Sequence, residues 1–271
     1  MSSPTTAAPG ALPGAAPGEL ATTDDDFLGG LLRLKQPQHG YRAGLDAVLL
    51  AAACPAQRGT CASTLDCGAG VGVAGLALAR RIDDAQVTLI ERDAALAALA
   101  AANAKANGLG SRTRVVVADL TLPLAQSAEL APYAGTFDHI LMNPPYHAHG
   151  AGTRARDQQK DGSHAMAVGE LDAWVRFAAA MARDDGSLTI IHRADALPEL
   201  LAALARRFGR VRILPLHSRA GEPASRLLVQ GVKGRRAPLE VLAGRVLHAD
   251  GGHGFVAEFD AILRGGAAFR W

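Results

Sequence analysis

The segment Asp66-Cys67-Gly68-Ala69-Gly70-Val71-Gly72 places a glycine at every second position behind an acid. Glycine reaches backbone dihedrals closed to other residues and lets a bound molecule approach the main chain without meeting a Cβ. A turn of this kind between a strand and a helix suits a nucleoside-type ligand. Glu91 follows a second apolar run, where a carboxylate can accept both hydroxyls of a ribose, and Asp119 follows a third, placed to meet an adenine amino group. Farther on, Asn143-Pro144-Pro145-Tyr146 closes the run Phe137–Met142. Its prolines lack N–H donors and hold φ fixed, so the Asn143 amide and the Pro144 carbonyl are presented as rigid acceptors. The Tyr146 ring offers a face for stacking.

The glycine pattern alone admits a rival. Gly70-Val71-Gly72-Val73-Ala74-Gly75 also satisfies the dinucleotide pattern, with Glu91 about 20 residues downstream, and that register implies nicotinamide-dependent hydride transfer. It pushes Asp66 into the buried part of the strand as a carboxylate without an evident partner. With Gly68 at the turn, Asp66 stands instead at the strand end beside the ligand. Asn-Pro also begins many plain surface turns, so the weight rests on the combination of glycine loop, strand-end acids and the Asn143 segment.

These residues need a scaffold, and the apolar patterning supplies one. Strands are expected at Ser63–Cys67, Gln86–Ile90, Arg114–Ala118, Phe137–Met142 and Ser187–His192. Helices fall between and after them at Val73–Arg81, in an Ala-rich stretch capped by Asp93 and ended by Gly108, at Leu171–Ala182 and at Ala196–Phe208. Such alternation predicts an α/β, Rossmann-like fold, a mostly parallel sheet with helices on both faces. Arg210–Leu216 and Arg226–Val232 have no helix between them and predict an antiparallel edge hairpin. Ligands of open α/β sheets bind beyond the carboxyl ends of the strands, where Gly68, Glu91, Asp119 and Asn143 all fall. Upstream, Phe27–Leu34 predicts a short strand or hairpin, Pro37 and Gly40 a loop, and the stretch from Asp46 to about Ala53 a helix. Residues 1–26 are expected to be a disordered tail. Residues 27–271 are expected to form a single domain with an N-terminal extension (27–60) and a C-terminal segment (239–271) of no firm assignment.

Composition narrows the function further. A chain of 271 residues with 49% hydrophobic and 20% charged residues is that of an ordinary globular protein, and 4% aromatic content argues against a broad stacking platform. Cys54, Cys61 and Cys67 are odd in number and lack ligand spacing, which predicts neither a disulfide framework nor a zinc site and fits a reducing cytoplasm. No apolar stretch reaches membrane-spanning length and no secretory signal is evident, so a soluble cytoplasmic protein is expected. The net charge of +2 is uneven: residues 1–26 carry Glu19, Asp24, Asp25 and Asp26 and no base, leaving 28 basic against 22 acidic side chains over the remainder. That surplus suits a polyanion. Arg154, Arg156 and Lys160, with Arg206, Arg207, Arg210 and Arg212, are candidates to hold phosphates, although each taken singly is equally a solvated surface charge. The nine histidines show no ligand spacing; His147 and His149 suit a pocket rim, and no metal is expected.

Taken in order and spacing, Asp66-x-Gly68-x-Gly70-x-Gly72, Glu91, Asp119 and Asn143-Pro144-Pro145-Tyr146 resemble the class I methyltransferases that modify exocyclic amino nitrogens. The similarity runs from about Leu34 to Arg193. It implies S-adenosylmethionine as cofactor, Asp66 near its methionine portion, and Asn143 with Pro144 accepting hydrogen bonds from the target amino group while Tyr146 stacks on the base. Leu34-Lys35-Gln36-Pro37-Gln38-His39-Gly40-Tyr41-Arg42, followed by Asp46-Ala47-Val48-Leu49-Leu50, is similar to the segment before the glycine loop in the bacterial tRNA adenine-N6 methyltransferase group, as is Gly150 shortly beyond Tyr146. By that resemblance Gln36 and Arg42 line the cofactor pocket and tRNA is the partner. Arg42 and Asp46 suit a helix-start ion pair equally well.

Three other functions are weighed against this. Protein glutamine methylation of release factors also uses Asn-Pro-Pro-Tyr, but those enzymes carry a helical substrate-binding domain ahead of the catalytic one, and the Pro/Gly/Ala-rich tail here is too short for it. A non-catalytic RNA-binding module would lack cofactor affinity. Hydride transfer is the most distant.

Overall fold

Five runs of apolar residues that need cover on both sides become neighbouring parallel strands. The computed structural model describes residues 21–40, 42–146, 169–249, 251–252 and 254–271. Its elements are β1 (Thr22–Phe27), β2 (Leu32–Pro37), α1 (Leu45–Ala53), β3 (Ser63–Cys67), α2 (Val73–Arg81), β4 (Gln86–Glu91), α3 (Ala94–Ala106), β5 (Thr113–Val117), β6 (Phe137–Met142), α4 (Glu170–Met181), β7 (Ala182–Arg193), α5 (Leu197–Leu204), β8 (Phe208–His217), β9 (Ala224–Lys233), β10 (Glu240–Val241), β11 (Arg245–Val246) and α6 (Ala257–Gly265).

The main sheet runs β10-β8-β9-β7-β6-β3-β4-β5, with β11 also against β8. From β3 the chain steps outward through β4 and β5, then returns to β6 on the other side of β3. This reversal is a topological switch point, where an open sheet leaves a crevice at its carboxyl edge. Strands β3 to β7 are parallel, and β9 is antiparallel to both β7 and β8. The expected hairpin is therefore present, extended beyond β8 by the short parallel strands β10 and β11. α5 ends earlier than its apolar pattern suggests because the chain turns through a left-handed Arg206 (φ 66°).

Successive residues of a strand face opposite sides, and the sheet accordingly separates two cores. Leu89, Leu141 and Ile191 join Leu49, Leu50, Leu76 and Phe259 on one face; Ile90, Ile140 and Ile190 join Trp174, Phe177, Met181 and Leu200 on the other. α3 starts where the Asp93 carboxylate accepts from the N–H groups of Ala95 and Leu96, and it stops at Gly108 (φ 70°). The chain's end is pinned to α1: Phe269 N–H donates to Ala52 O and Trp271 Nε1 to Ala53 O, using carbonyls left open at the helix terminus.

The N-terminal expectation needs correction. Residues 22–26, assigned to a disordered tail, form β1 and pair with β2 in a separate two-stranded sheet. The reason lies in their partners. Asp24, Asp25 and Asp26 form ion pairs with Lys35, Arg42 and Arg33, so acids that look like a tail's excess charge offset bases of the body. The outer edge of β2 is closed by two asparagines one turn apart, Asn103 in α3 and Asn107 at its C-terminal cap. Asn103 accepts from Lys35 N–H and donates to Lys35 O, and Asn107 does the same for Arg33. Residues 1–20, Tyr41, His147, His149, Gly150, Arg154, Arg156 and Lys160 lie outside the described residues. No helix among the described residues is long and apolar enough to cross a membrane.

Candidate active site

A cleft of about 830 Å³ opens at the carboxyl ends of β3 to β6, lined by Gly68, Glu91, Asp119 and Asn143 to Tyr146, with Arg42, Asp46, Trp174 and Arg226 closing its sides. Its size suits one nucleoside-bearing small molecule and part of a second ligand. The glycine loop is left-handed at Gly68, Gly70 and Gly72 (φ 67°, 57° and 93°), a conformation in which a side chain is strained. Gly68 also needs its missing Cβ for space, since one would lie 2.4 Å from the Trp174 ring. Gly68 lines the cleft, whereas Gly70 and Gly72 shape the turn behind it.

Glu91, the last residue of β4, fixes that turn from the neighbouring strand. Its Oε2 accepts from Gly70 N–H at 2.9 Å and its Oε1 from Asp93 N–H at 2.9 Å. Each carboxylate oxygen keeps a second lone pair, which leaves two acceptor positions for a diol in the cleft. Asp119 is held by a local turn in which its Oδ1 accepts from Thr121 N–H and Thr121 Oγ1 at 2.9 and 2.6 Å. Two acids at adjacent strand ends, with an open backbone at Gly68 between them and Asn143, fit a ribose and an adenine.

Asp66 and Gln36 are corrected. Asp66 is 2% exposed and lies beneath the loop, accepting from Gly75 N–H at 2.8 Å in the first turn of α2. Its side chain therefore points into the α2 packing, and it does not line the cleft. The partner that the sequence did not reveal is a backbone donor, left open because the first turn of a helix has no intrahelical acceptors. Gln36 is equally buried and ties β2 to the segment entering α1: its Oε1 accepts from Ala43 N–H, and its Nε2 donates to Asp25 and to Ala43 O. Arg42 does line the cleft, but it pairs with Asp25 through two 2.7 Å contacts and not with Asp46. Asp46 instead accepts from Arg226 Nε at 2.9 Å and from the Tyr146 hydroxyl.

Burial pushes Asp66 up to about 7, with the nearby Glu91 charge adding to the shift and the Gly75 N–H opposing it. Burial likewise pushes His139, bonded to Ser187 Oγ at 2.8 Å, down to about 4. The two act on stability in opposite senses. Above its ordinary value of 3.8, unfolded Asp66 loses a proton that the folded chain retains until about pH 7, so stability falls as pH rises through that window. Below 6.5, unfolded His139 gains a proton that the folded chain refuses until about pH 4, so stability rises with pH there. We expect a nearly flat melting temperature between about pH 4 and 6.5. Asp66→Asn should expose a rising profile and His139→Gln a falling one, measured by thermal melts; a flat profile in both variants contradicts this assignment.

Sequence reasoning missed Trp174 and Arg226 and left Asp46 as a structural residue. Arg226 lies in the first residues of β9, opposite Arg193, and an antiparallel strand starts at the edge where its parallel neighbours end. For the converse reason the cluster Arg206, Arg207, Arg210 and Arg212 stands away from the cleft: β8 runs parallel to β6 and starts at the opposite edge. Arg207 there binds Asp172, and Arg212 pairs with Glu240 beside the Trp271 ring. No group of three or more His, Cys, Asp or Glu residues suited to a metal is present among the described residues.

A Rossmann-like sheet with a glycine loop and strand-end acids at its switch point, taken with the family and structural matches, makes this chain an S-adenosylmethionine-dependent methyltransferase. The chain belongs to the methyltransferase small domain family, whose model matches residues 45–218. A tRNA1(Val) (adenine(37)-N6)-methyltransferase of Actinobacillus succinogenes is 29% identical over 197 residues, 72% of this chain and 78% of that protein. One of the same name from Shewanella sp. (strain W3-18-1) is 39% identical over 111 residues, which span 41% of this chain and 44% of that relative's length. Among solved structures, a predicted O-methyltransferase from Agrobacterium tumefaciens, protein Atu636, superposes with a TM-score of 0.70 at 33% identity, covering 83% of this chain and 98% of that one.

Proposed function

We propose that this enzyme methylates an exocyclic amino nitrogen, adenine N6 in a tRNA. The observation that carries the reading is Asn143-Pro144-Pro145-Tyr146 on the cleft wall at the end of β6, beside Gly68 of the glycine loop. In an arylamine the nitrogen lone pair is delocalised into the ring. The Asn143 side-chain oxygen and the Pro144 carbonyl accept the two N–H bonds of such an amine, favouring the pyramidal nitrogen that attacks and stabilising the positive charge that develops on it. A hydroxyl acceptor has one hydrogen and leaves the second of these acceptors unused. Bound S-adenosylmethionine supplies a methyl group activated by its sulfonium. Glu91 holds the ribose hydroxyls, Asp119 the adenine amino group and the Gly68 backbone a wall against which the cofactor lies, so alignment is set by the chain. Tyr146 stacks on the target base. The methylated ammonium is acidic enough to lose its proton to water, and no strong base is required of the protein.

The tRNA assignment draws support from the relatives named for tRNA1(Val) adenine-37 and from the basic surplus of the chain. Incubation with methyl-labelled cofactor and, separately, bulk tRNA, ribosomal RNA, DNA and release factor tests it. Label is expected in tRNA. Label confined to release factor indicates glutamine methylation, and absence of label from all RNA overturns the proposal.

A further inference from the structure

Four side chains from distant parts of the sequence meet at one side of the cleft. Asp46 stands in the first turn of α1, Tyr146 and Asn143 follow β6, and Arg226 is the third residue of β9. The Tyr146 hydroxyl donates to Asp46 Oδ2, and Arg226 Nε donates to the same oxygen at 2.9 Å. The Arg226 guanidinium carbon also lies 5.1 Å from the centre of the Tyr146 ring, and the ring of His192 meets Tyr146 edge-on at 5.0 Å. The ring is thus held on several sides. Among the described residues, a second acceptor near the phenol oxygen is the Asn143 side-chain oxygen at 3.4 Å.

A phenol carries a single proton. Directed to a carboxylate it makes a charge-assisted bond, stronger than one to a neutral amide oxygen, and 3.4 Å is too long for an effective O–H···O bond. We propose that Asp46 is a positioning residue that draws the Tyr146 proton away from Asn143, keeping the Asn143 side-chain oxygen open to the amino group of the substrate. The inference rests on Asn143 being the acceptor for that amino group. Burial and the Asp46 charge push the phenol well above its ordinary value, so the proton in question is always present. Arg226 anchors the carboxylate in place.

Without the carboxylate, the phenol turns to Asn143 and takes one of the two lone pairs of its side-chain oxygen, which weakens and misdirects that oxygen as an acceptor for the substrate amino group. Asp46→Ala should therefore slow single-turnover methyl transfer to bulk tRNA by about tenfold, the scale of one blocked hydrogen bond. The distinguishing result is the double variant. Adding Tyr146→Phe removes the competing hydroxyl, so Asp46→Ala/Tyr146→Phe should be at least about threefold faster than Asp46→Ala, although Tyr146→Phe alone costs a few-fold. A merely structural Asp46 predicts a double variant no faster than the single one, and that result overturns the inference. Asp46→Ser replaces alanine if the latter melts below the assay temperature, since its short hydroxyl keeps a polar group in the first turn of α1 but falls short of the phenol. A crystal structure of the Asp46 variant gives a readout free of the acceptor: the phenol oxygen should close to about 2.8 Å from the Asn143 oxygen, and a phenol that stays away from it overturns the inference. Asn143→Ala is run in parallel. Full activity there defeats the reading of Asn143 itself, whereas loss of activity there with no effect at Asp46 defeats only the role given to Asp46.

Discussion

Asn143→Ala is expected to lower the rate of methyl transfer by a factor on the order of a hundred or more while leaving cofactor affinity close to that of the parent protein. Asn143 stands where β6 ends at the switch point, and the two prolines behind it fix the direction of its amide. The hydrogen bond it is proposed to make gains strength as the amine becomes cationic, so its loss falls on the transition state more than on binding. RNA affinity should change far less, because phosphate contacts supply most of it. Tyr146→Ala should differ in kind. Removal of the stacking face costs about 1 to 3 kcal/mol per base, which raises the apparent KM as well as slowing turnover. Single-turnover rates at saturating and subsaturating tRNA separate the two. An Asn143→Ala protein of full activity means that the segment is only a turn.

Glu91→Ala should weaken S-adenosylmethionine binding by about a hundredfold, the scale of losing two hydrogen bonds to one charged acceptor. The structure adds a second source of loss, since the same carboxylate holds Gly70 N–H and Asp93 N–H. Without it the glycine loop loses its tie to β4, and Gly70 N–H is left buried without its acceptor. The effect should therefore appear both in calorimetric affinity and as a lower melting temperature of the cofactor-free protein. Glu91→Gln separates them: its amide oxygen can still serve one of the two backbone donors, so stability should recover more than affinity. Unchanged affinity in Glu91→Ala removes this residue from the cofactor site.

Much of the scaffold was legible because local patterns agree with the tertiary result. β3, α2 and β6 fall at the residues expected, since their apolar runs are bounded by glycine turns or charged residues, and Asp93 and Gly108 delimit α3 by capping chemistry that depends on near neighbours alone. What escaped depends on partners far away in sequence. β1 is a strand because it pairs with β2 along its whole length, with Lys35 and Arg33 across the hairpin and Arg42 beyond it offsetting acids that composition reads as a charged tail. Asp66 sits inside the protein because Gly75 N–H receives it nine residues on. Arg226 reaches the cleft and the Arg206–Arg212 cluster does not, because strand direction decides which end of a strand lies there, and direction follows from pairing. Trp174 gives no sign in the sequence that its ring fills the space of a missing Cβ at Gly68.

The most direct test of the chemistry is nucleoside mass analysis of tRNA incubated with the enzyme and S-adenosylmethionine carrying a deuterated methyl group. Transfer to an exocyclic amino nitrogen predicts an adenosine heavier by one deuterated methyl whose fragmentation leaves that methyl on the base at N6, absent from reactions with Asn143→Ala. A deuterated methyl found on a ribose oxygen or a pyrimidine carbon, or present undiminished with Asn143→Ala, contradicts the account.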